Sequence, residues 1–221
     1  MKTFLLKVDI LNTMRKLRLV LPLLAILCCP LATSAQGDFA SIDDFQKSTL
    51  KGGDQLSVQA KGDLNGDGLE DWAGVIQRGE TGSSPTYQLY VLVRSGQSGY
   101  RVAEKSKEAP IPGMGCCWVE NLEIKRSSIY IQNNAKTAST MEAATHQFKL
   151  YRGEWRLVGV RIYDIDQSSD TSTETDMNLL TGSVIEKKQK GERKPIASSR
   201  RKKFSTSLLK DYDFYNGFGI E

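Results

Sequence analysis

Hydrophobic and polar residues alternate through much of the chain, and a period of two is typical of β-strands with one buried face. Leu56, Val58 and Ala60 alternate with polar neighbours, and residues 87–93 form a denser apolar run that predicts a central strand. Residues 179–185 predict a hairpin. Further short runs separated by turn residues predict additional strands at residues 122–125, 129–132, 147–151 and 155–163.

A helical pattern comes before these strands. Ser41 followed by Asp44 resembles a capping box, and Ile42 and Phe45 fall on one helical face, which the Gly-Gly pair at 52–53 ends. The connections between the later strands are too short for crossover helices. We therefore expect a mainly β fold: an antiparallel meander with sandwich-like or single propeller-blade-like sheets, preceded by a short N-terminal helix.

The first 35 residues have the three parts of a secretory signal peptide. A basic start at residues 14–18 is followed by an apolar run at residues 19–32 and by small residues before the cleavage point. The apolar run is shorter than the ~20 residues of a membrane-spanning helix. We predict cleavage after Ala35, a periplasmic or secreted product, and no transmembrane span in the mature chain. Residues 1–13 are then an upstream extension of the true start.

Charge separates the mature chain into an acidic body and a basic end. Cleavage removes five basic residues and one acidic residue, which leaves 25 of each sign. Residues 36–185 form the predicted β-rich domain, and residues 186–221 hold a basic segment and an aromatic C-terminal tail. Residues 186–203 carry nine basic and two acidic side chains, for which a solvated linker is the simplest interpretation and docking on the protein's own body or on anionic lipid is the alternative. Export, and a basic run without aromatic residues, argue against a nucleic-acid partner.

The most informative stretch is the Asp-, Asn- and Gly-rich segment from Gly62 to Trp72. Oxygen-bearing side chains fall at alternate positions, and two glycines allow a tight turn that points them at one centre. Calcium takes about six to eight oxygen ligands in flexible geometry. An Asn/Asp/Gly-rich turn that holds no ion is the alternative. The predicted calcium ligands are three carboxylates, one amide oxygen and one main-chain carbonyl, with water completing the shell: Asp63, Asp67, Asp71, Asn65 and Leu69.

An EF-hand does not fit this segment, because its twelfth position needs a bidentate Glu and the chain has Gly74 there. The pattern D-x-N-x-D-G-x-x-D instead resembles the calcium loop of FG-GAP or VCBS repeats, found in integrin-type propellers and many exported bacterial proteins. The resemblance is local and covers residues 60–78 in one copy. It implies a cation loop at the positions just named. Calcium would then join the strand before Asp63 to the strand after Asp71 and stabilise the fold.

Cys116 and Cys117 are the only cysteines that remain after the predicted cleavage. Adjacent Cα atoms lie ~3.8 Å apart, which is shorter than the roughly 4.4–6.8 Å of ordinary disulfides, so a bond between these residues would be strained. Three states are open: a vicinal disulfide, pairing with another chain, and two buried thiols. We favour the vicinal disulfide, because export favours oxidation.

Two later segments have simpler interpretations. An acidic stretch at residues 164–176 is interleaved with Ser and Thr, and this composition predicts a solvated loop. The aromatic residues of the C-terminal tail are expected to pack back on the sheet. These residues are Tyr212, Phe214, Tyr215 and Phe218.

The sequence contains no nucleophile elbow, zinc signature or phosphate loop. Its single histidine, His146, excludes sites that need several imidazole groups, such as three-histidine zinc sites. We therefore expect an exported, calcium-stabilised module that is non-catalytic and has a binding or structural role, with a protein, a glycan or an envelope component as partner. The alternative is a metal-assisted hydrolase that uses Glu70 or Asp71 beside the ion. An open apolar pocket with convergent acids would favour catalysis, and a flat or grooved face would favour binding.

Overall fold

The computed structural model describes residues 38–79, 85–96, 99–110 and 117–214. The predicted signal peptide, residues 1–35, lies outside these ranges. The predicted vicinal disulfide also lies outside them, because Cys116 is not described and only the main chain of Cys117 is. Within the described ranges, no helix is long and apolar enough to cross a membrane.

Two antiparallel sheets follow one short helix, and the predicted mainly β antiparallel fold is confirmed. Helix α1 spans Ile42–Thr49, and a 3-10 turn spans Leu209–Asp211. The first sheet has the order β1-β2-β3-β4, with β5 paired to β3, and its strands are β1 (Gln55–Gly62), β2 (Asp71–Arg78), β3 (Thr86–Arg94), β4 (Tyr100–Lys105) and β5 (Ala109–Pro110). The second sheet runs in sequence order from β6 to β12, and its strands are β6 (Cys117–Lys125), β7 (Ser128–Lys136), β8 (Thr140–Tyr151), β9 (Glu154–Asp166), β10 (Thr171–Asn178), β11 (Ser183–Lys190) and β12 (Ile196–Arg201).

The main core lies between the two sheets, which is the sandwich-like form of the predicted fold. Val75 and Leu89 of the first sheet belong to the same buried cluster as Ile131 and Phe148 of the second sheet. Each of these four side chains is fully buried. Full burial of one such side chain contributes about 1.5–3 kcal/mol to the free energy of folding. Apolar burial in this shared core therefore holds the two sheets together.

A smaller core lies on the opposite face of the first sheet, where α1 covers it. Ser41 caps the helix, because its Oγ accepts the N–H of Asp44 at 3.1 Å, as the sequence predicts. The Phe45 ring centroid lies 5.5 Å from that of Trp72 and 5.3 Å from that of Tyr90. Strands β2 and β3 are therefore covered on both faces, which explains the dense apolar run from Tyr87 onward.

The described part of the C-terminal tail packs into the main core. Tyr212 places its ring 5.0 Å from Phe148 and 5.3 Å from Phe214, measured between centroids. Leu209, Tyr212 and Phe214 are all buried. The expected packing is confirmed for Tyr212 and Phe214, while Tyr215 and Phe218 lie outside the described residues.

The second sheet extends well beyond the shared core. The sequence predicts a solvated loop at residues 164–176, but most of this stretch belongs to β9 and β10, so that prediction is wrong. Strands β11 and β12 continue the sheet through the basic segment, so the predicted linker at residues 186–203 is wrong. The expected boundary between residues 185 and 186 falls inside β11. Polar residues form these strands because both faces of the sheet are partly exposed there. Main-chain pairing extends the sheet there, together with exposed cross-strand ion pairs such as Lys187 with Glu174.

Candidate functional site

The candidate metal loop connects β1 to β2 at one end of the first sheet. Gly62 pairs with Asp71, so this cross-strand pair closes the loop, and residues 63–70 project beyond it. Gly66 and Gly68 have φ angles of 82° and 79°, a conformation that glycine adopts without the steric cost of a Cβ atom. The two glycines therefore permit the tight turn that the sequence predicts.

Asp63 holds the turn together from its first residue. Its Oδ1 accepts the N–H of Gly66 at 2.6 Å, and its Oδ2 accepts the N–H of Gly68 at 3.0 Å. The Gly66 bond is the largest influence on the pKa of Asp63, which lies below its ordinary value because these main-chain bonds favour the charged form. Asp63 is therefore an ionised carboxylate at the mouth of the loop at neutral pH.

Asn65 and Asp67 continue the turn with the same kind of bond. Asn65 Oδ1 accepts the N–H of Asp67 at 2.9 Å, and Asp67 Oδ1 accepts the N–H of Leu69 at 2.8 Å. The Asn65 amide nitrogen also donates to Asp67 Oδ2 at 2.9 Å. Asn65 and Asp67 thus share one local hydrogen-bond network with the main chain. Leu69 contributes its main-chain N–H to this network, whereas the sequence predicts its carbonyl oxygen as a ligand.

Asp71 occupies a different environment from the other loop acids, because it is fully buried. Its Oδ2 accepts the N–H of Leu64 at 2.8 Å, and its Oδ1 accepts the N–H of Arg94 at 2.8 Å. Burial is the largest influence on the pKa of Asp71 and raises it, and the negative charges of Asp67 and Asp63 raise it further. The two main-chain bonds oppose this shift only in part.

Two contacts that position the loop are not among the predicted ligands. Leu64 is buried in the main core, so the loop is anchored by an apolar side chain between two polar ones. A single leucine within an Asp/Asn/Gly-rich segment is the sequence signal for this anchor. Lys61 and Glu70 form an exposed ion pair of 3.4 Å, which contributes little to stability.

The structure brings the predicted ligands together in one turn but gives them two roles. The side chains of Asp63, Asn65 and Asp67 bond within the turn, whereas Asp71 ties it to the end of β3. In the part of the chain that the structure describes, no three His, Cys, Asp or Glu side chains form a group that could hold a metal ion. The donors still match calcium in kind, since a carboxylate oxygen that accepts one N–H retains a second lone pair.

A cavity of about 350 Å³ lies beside the loop, and Asn65 is the loop residue that lines it. Its wall includes two acidic and two basic side chains as well as the buried Trp155. The three loop carboxylates are not part of this wall. The charged wall residues are Arg101, Glu104, Glu154 and Lys210.

The loop therefore has the hydrogen-bonding pattern of a tight turn and oxygen donors of the type that hard cations prefer. Burial raises the pKa of its buried carboxylate, Asp71, and the negative charges of Asp67 and Asp63 raise it further. The resemblance of residues 60–78 to FG-GAP or VCBS loops remains a prediction. Comparison of the chain with family models, with curated proteins and with solved structures finds no match.

Proposed function

We propose that the protein is an exported, non-catalytic β-rich module with a binding or structural role, in which the loop at residues 63–71 takes up calcium. Calcium in this loop stabilises the fold and takes no part in a reaction. The partner is a protein, a glycan or an envelope component.

One observation carries the calcium proposal, which is the grouping of three acidic side chains in one loop: burial raises the pKa of Asp71, and the negative charges of Asp67 and Asp63 raise it further. Like charges in one loop repel, and solvent weakens this repulsion where the groups are exposed. A divalent cation would offset the repulsion among Asp63, Asp67 and Asp71. Asn65 and the carbonyl of Leu69 supply the neutral oxygens of the proposed shell.

The proposed role in stability follows from the position of the loop. Asp71 joins the loop to β3, and Leu64 joins it to the main core. An ion that orders the loop therefore favours the native arrangement of β1, β2 and β3. A ligand present at about one hundred times its dissociation constant adds roughly 2.7 kcal/mol to the free energy of unfolding.

The hydrolase alternative has weaker support from the side-chain environment. A general base needs a free acceptor that faces substrate, but Asp71 is buried and both of its oxygens accept main-chain N–H groups. Glu70 is exposed and pairs with Lys61. The neighbouring cavity contains as many basic as acidic side chains, and the loop carboxylates do not line it. We therefore retain the non-catalytic module.

Thermal unfolding with calcium and with a chelator tests the calcium proposal. For a chain of this size, 1 kcal/mol corresponds to roughly 2–4 °C, so we expect saturating calcium to raise Tm by about 5–10 °C relative to EGTA. Asp67→Asn keeps an oxygen that can accept the N–H of Leu69 but removes the charge, and we expect it to abolish most of this shift.

Asp166→Asn is the matched control. Asp166 is another exposed turn carboxylate, and it accepts the N–H of Ser168 at 2.9 Å. We expect this variant to keep the full calcium shift. A wild-type Tm that responds to neither calcium nor EGTA contradicts the proposal, and so does an Asp67→Asn variant with an undiminished shift.

Export is tested separately with the full-length chain. We expect bacterial expression with the native N-terminus to yield a periplasmic or secreted protein whose intact mass corresponds to cleavage after Ala35. A cytoplasmic product with residues 14–35 still attached would contradict this part of the proposal.

A further inference from the structure

A second cavity of about 350 Å³ lies on the face of the seven-stranded sheet that points away from the main core. It spans β6 to β10, and its lining residues alternate along these strands except on β9, where residues 159–161 all contribute. Its floor includes Gly159, which has no side chain to fill the space. The size is at the lower end of the roughly 300–1,000 Å³ typical of small-molecule sites.

Two β-bulges shape the sheet around this cavity. The pairing of β6 with β7 shifts between Val119 and Asn121, and the pairing of β8 with β9 shifts between Gln147 and Phe148. A bulge bends its strand and increases the local twist, and bulges are frequent next to functional sites. Asn121 and Gln147 both line the cavity, so the bulges lie at its wall.

The charges of the cavity wall neutralise one another. Lys125 Nζ lies 2.6 Å from Glu123 Oε2, and Arg161 donates to Asp176 Oδ2 at 2.7 Å. Two positive and two negative side chains therefore leave no net charge. A strongly anionic or cationic ligand would have to break one of these pairs, so the wall favours a neutral ligand.

The remaining wall residues offer both donors and acceptors. Gln147 Nε2 donates to Ser128 Oγ at 3.2 Å, and Gln132 Nε2 donates to Asn134 Oδ1 at 3.0 Å. Among the described residues, neither glutamine amide oxygen accepts a hydrogen bond. Each amide therefore has an acceptor to offer, and Thr145 adds a hydroxyl group.

Tyr130 adds an aromatic surface to this polar wall. Its ring is half-buried, and Lys125 Nζ lies 4.7 Å from the ring centroid. An aromatic ring offers an apolar patch, and its hydroxyl both donates and accepts hydrogen bonds. A ligand that matches this wall carries many hydroxyl groups, no net charge, and some C–H surface.

We propose that this cavity binds a neutral oligosaccharide. Sugar hydroxyls both donate and accept, as the amides of Gln132 and Gln147 do, and the C–H face of a sugar ring fits against Tyr130. The inference rests on the proposed binding role of the module and names its partner class. It does not depend on calcium, because the cavity and the loop at residues 63–71 share no residue.

Binding is tested with the mature chain and a panel of neutral hexasaccharides: β-1,4- and β-1,3-linked glucose, α-1,4-linked glucose, β-1,4-linked xylose, mannose and N-acetylglucosamine. NMR titration follows the chemical shifts of the main-chain amides of β6 to β10 and of the side-chain amides of Gln132 and Gln147. We expect at least one hexasaccharide to shift these resonances in a saturable way. A hexasaccharide of galacturonic acid serves as the charged comparison and should bind at least about tenfold more weakly.

Gly159→Val is the main variant, because the closest atom to a Cβ at this position is Gln147 Oε1 at 3.0 Å, the end of a flexible side chain, and the next are the Met177 carbonyl oxygen at 3.5 Å and Gln147 Cβ at 3.6 Å. Valine also favours strands, so we expect the variant to fold. Its side chain would occupy the cavity floor and weaken binding at least about tenfold. Ser199→Val, on exposed β12, is the matched control and should bind like the wild type.

Three results would overturn the inference. The first is that no neutral hexasaccharide shifts the resonances of β6 to β10, and the second is that the galacturonic acid hexasaccharide binds best. The third is that a folded Gly159→Val variant binds as tightly as Ser199→Val. Titration in EGTA separates the two proposals: binding that persists there, together with a Tm that calcium does not change, removes the calcium proposal and leaves the glycan site.

Discussion

Asp71 accepts the main-chain N–H of Arg94 at 2.8 Å, so the first residue of β2 holds the last residue of β3. The same carboxylate accepts the N–H of Leu64, which connects the loop to this junction. Both bonds are made by a fully buried side chain. Asp71 is therefore a structural link between the loop and the first sheet, whatever the loop binds.

We expect Asp71→Asn to destabilise the protein by about 1–3 kcal/mol. The amide has only one oxygen, so its NH₂ group would face one of the two main-chain donors and leave it unsatisfied. Urea unfolding in EGTA measures the loss without a contribution from calcium. Asp38→Asn, at an exposed position, is the control and should unfold like the wild type. An Asp71→Asn variant of wild-type stability would show that the link is dispensable.

Gly74 is covered by the indole ring of Trp72. A Cβ at Gly74 would lie 2.2 Å from Trp72 Cη2, and this indole also donates to Gln59 Oε1 at 2.9 Å. We expect Gly74→Ala to displace the ring and cost about 1–3 kcal/mol, which is typical of overpacking. Thermal unfolding and near-UV circular dichroism of the tryptophan measure the change.

Gly52 provides the matched comparison, because a Cβ there meets nothing within 4 Å. Gly52→Ala should leave Tm unchanged or raise it slightly, since alanine restricts the unfolded chain. Equal Tm values for the two alanine variants would contradict the close packing of Trp72 on Gly74.

Glu142 and Asp164 lie directly opposite each other on β8 and β9. Burial raises the pKa of Glu142 above its ordinary value of 4.5, and the charge of Asp164 and a hydrogen bond to it raise the pKa further. The folded state therefore holds this proton more tightly than the unfolded state. Its contribution to stability is fully present below pH 4.5 and is lost as the pH rises through the raised pKa.

Glu142→Gln removes this titration while keeping the size of the side chain. We expect the stability of the wild type relative to Glu142→Gln to fall between pH 4 and pH 8. Urea unfolding of both proteins at several pH values measures the difference. A difference that stays constant across this range would show that Glu142 does not titrate with a raised pKa.

Tyr212 connects the C-terminal segment to a buried amide. Asn133 is fully buried, and its Nδ2 donates to the Tyr212 hydroxyl at 3.2 Å. Tyr212→Phe would leave this N–H without its acceptor, so we expect a loss of about 1–3 kcal/mol in urea unfolding. Tyr163→Phe removes a hydroxyl from an exposed ring and should cost much less. Equal losses for the two variants would contradict a role for the buried bond.

The core of the fold could be predicted from the sequence because its pattern is strong. Leu56, Val58 and Ala60 alternate as a half-covered strand does, and the dense run from Tyr87 belongs to a strand covered on both faces. The stretch at residues 164–176 could not be predicted in this way. Hydrophobic periodicity is absent where a sheet is exposed on both faces, so strands β9 and β10 have the composition of a loop there.

The local part of the candidate site could also be predicted. Asp63, Asn65 and Asp67 bond to main-chain groups two to five residues away, and such turns follow from residue type and spacing. The bond from Arg94 to Asp71 could not, because these residues lie 23 positions apart and meet only through the pairing of β2 with β3. The cavity over Gly159 likewise depends on five strands taking their places in one sheet.

Strand β12 is the outermost strand of the seven-stranded sheet, and no other strand of the described residues pairs with the row of main-chain N–H and C=O groups along its outer edge. All of its residues are exposed, and it ends in Arg200 and Arg201. Two copies that met along this edge would each bring positive charge to it, and electrostatic repulsion opposes such pairing. Because salt screens such repulsion, self-association through this edge should increase with ionic strength.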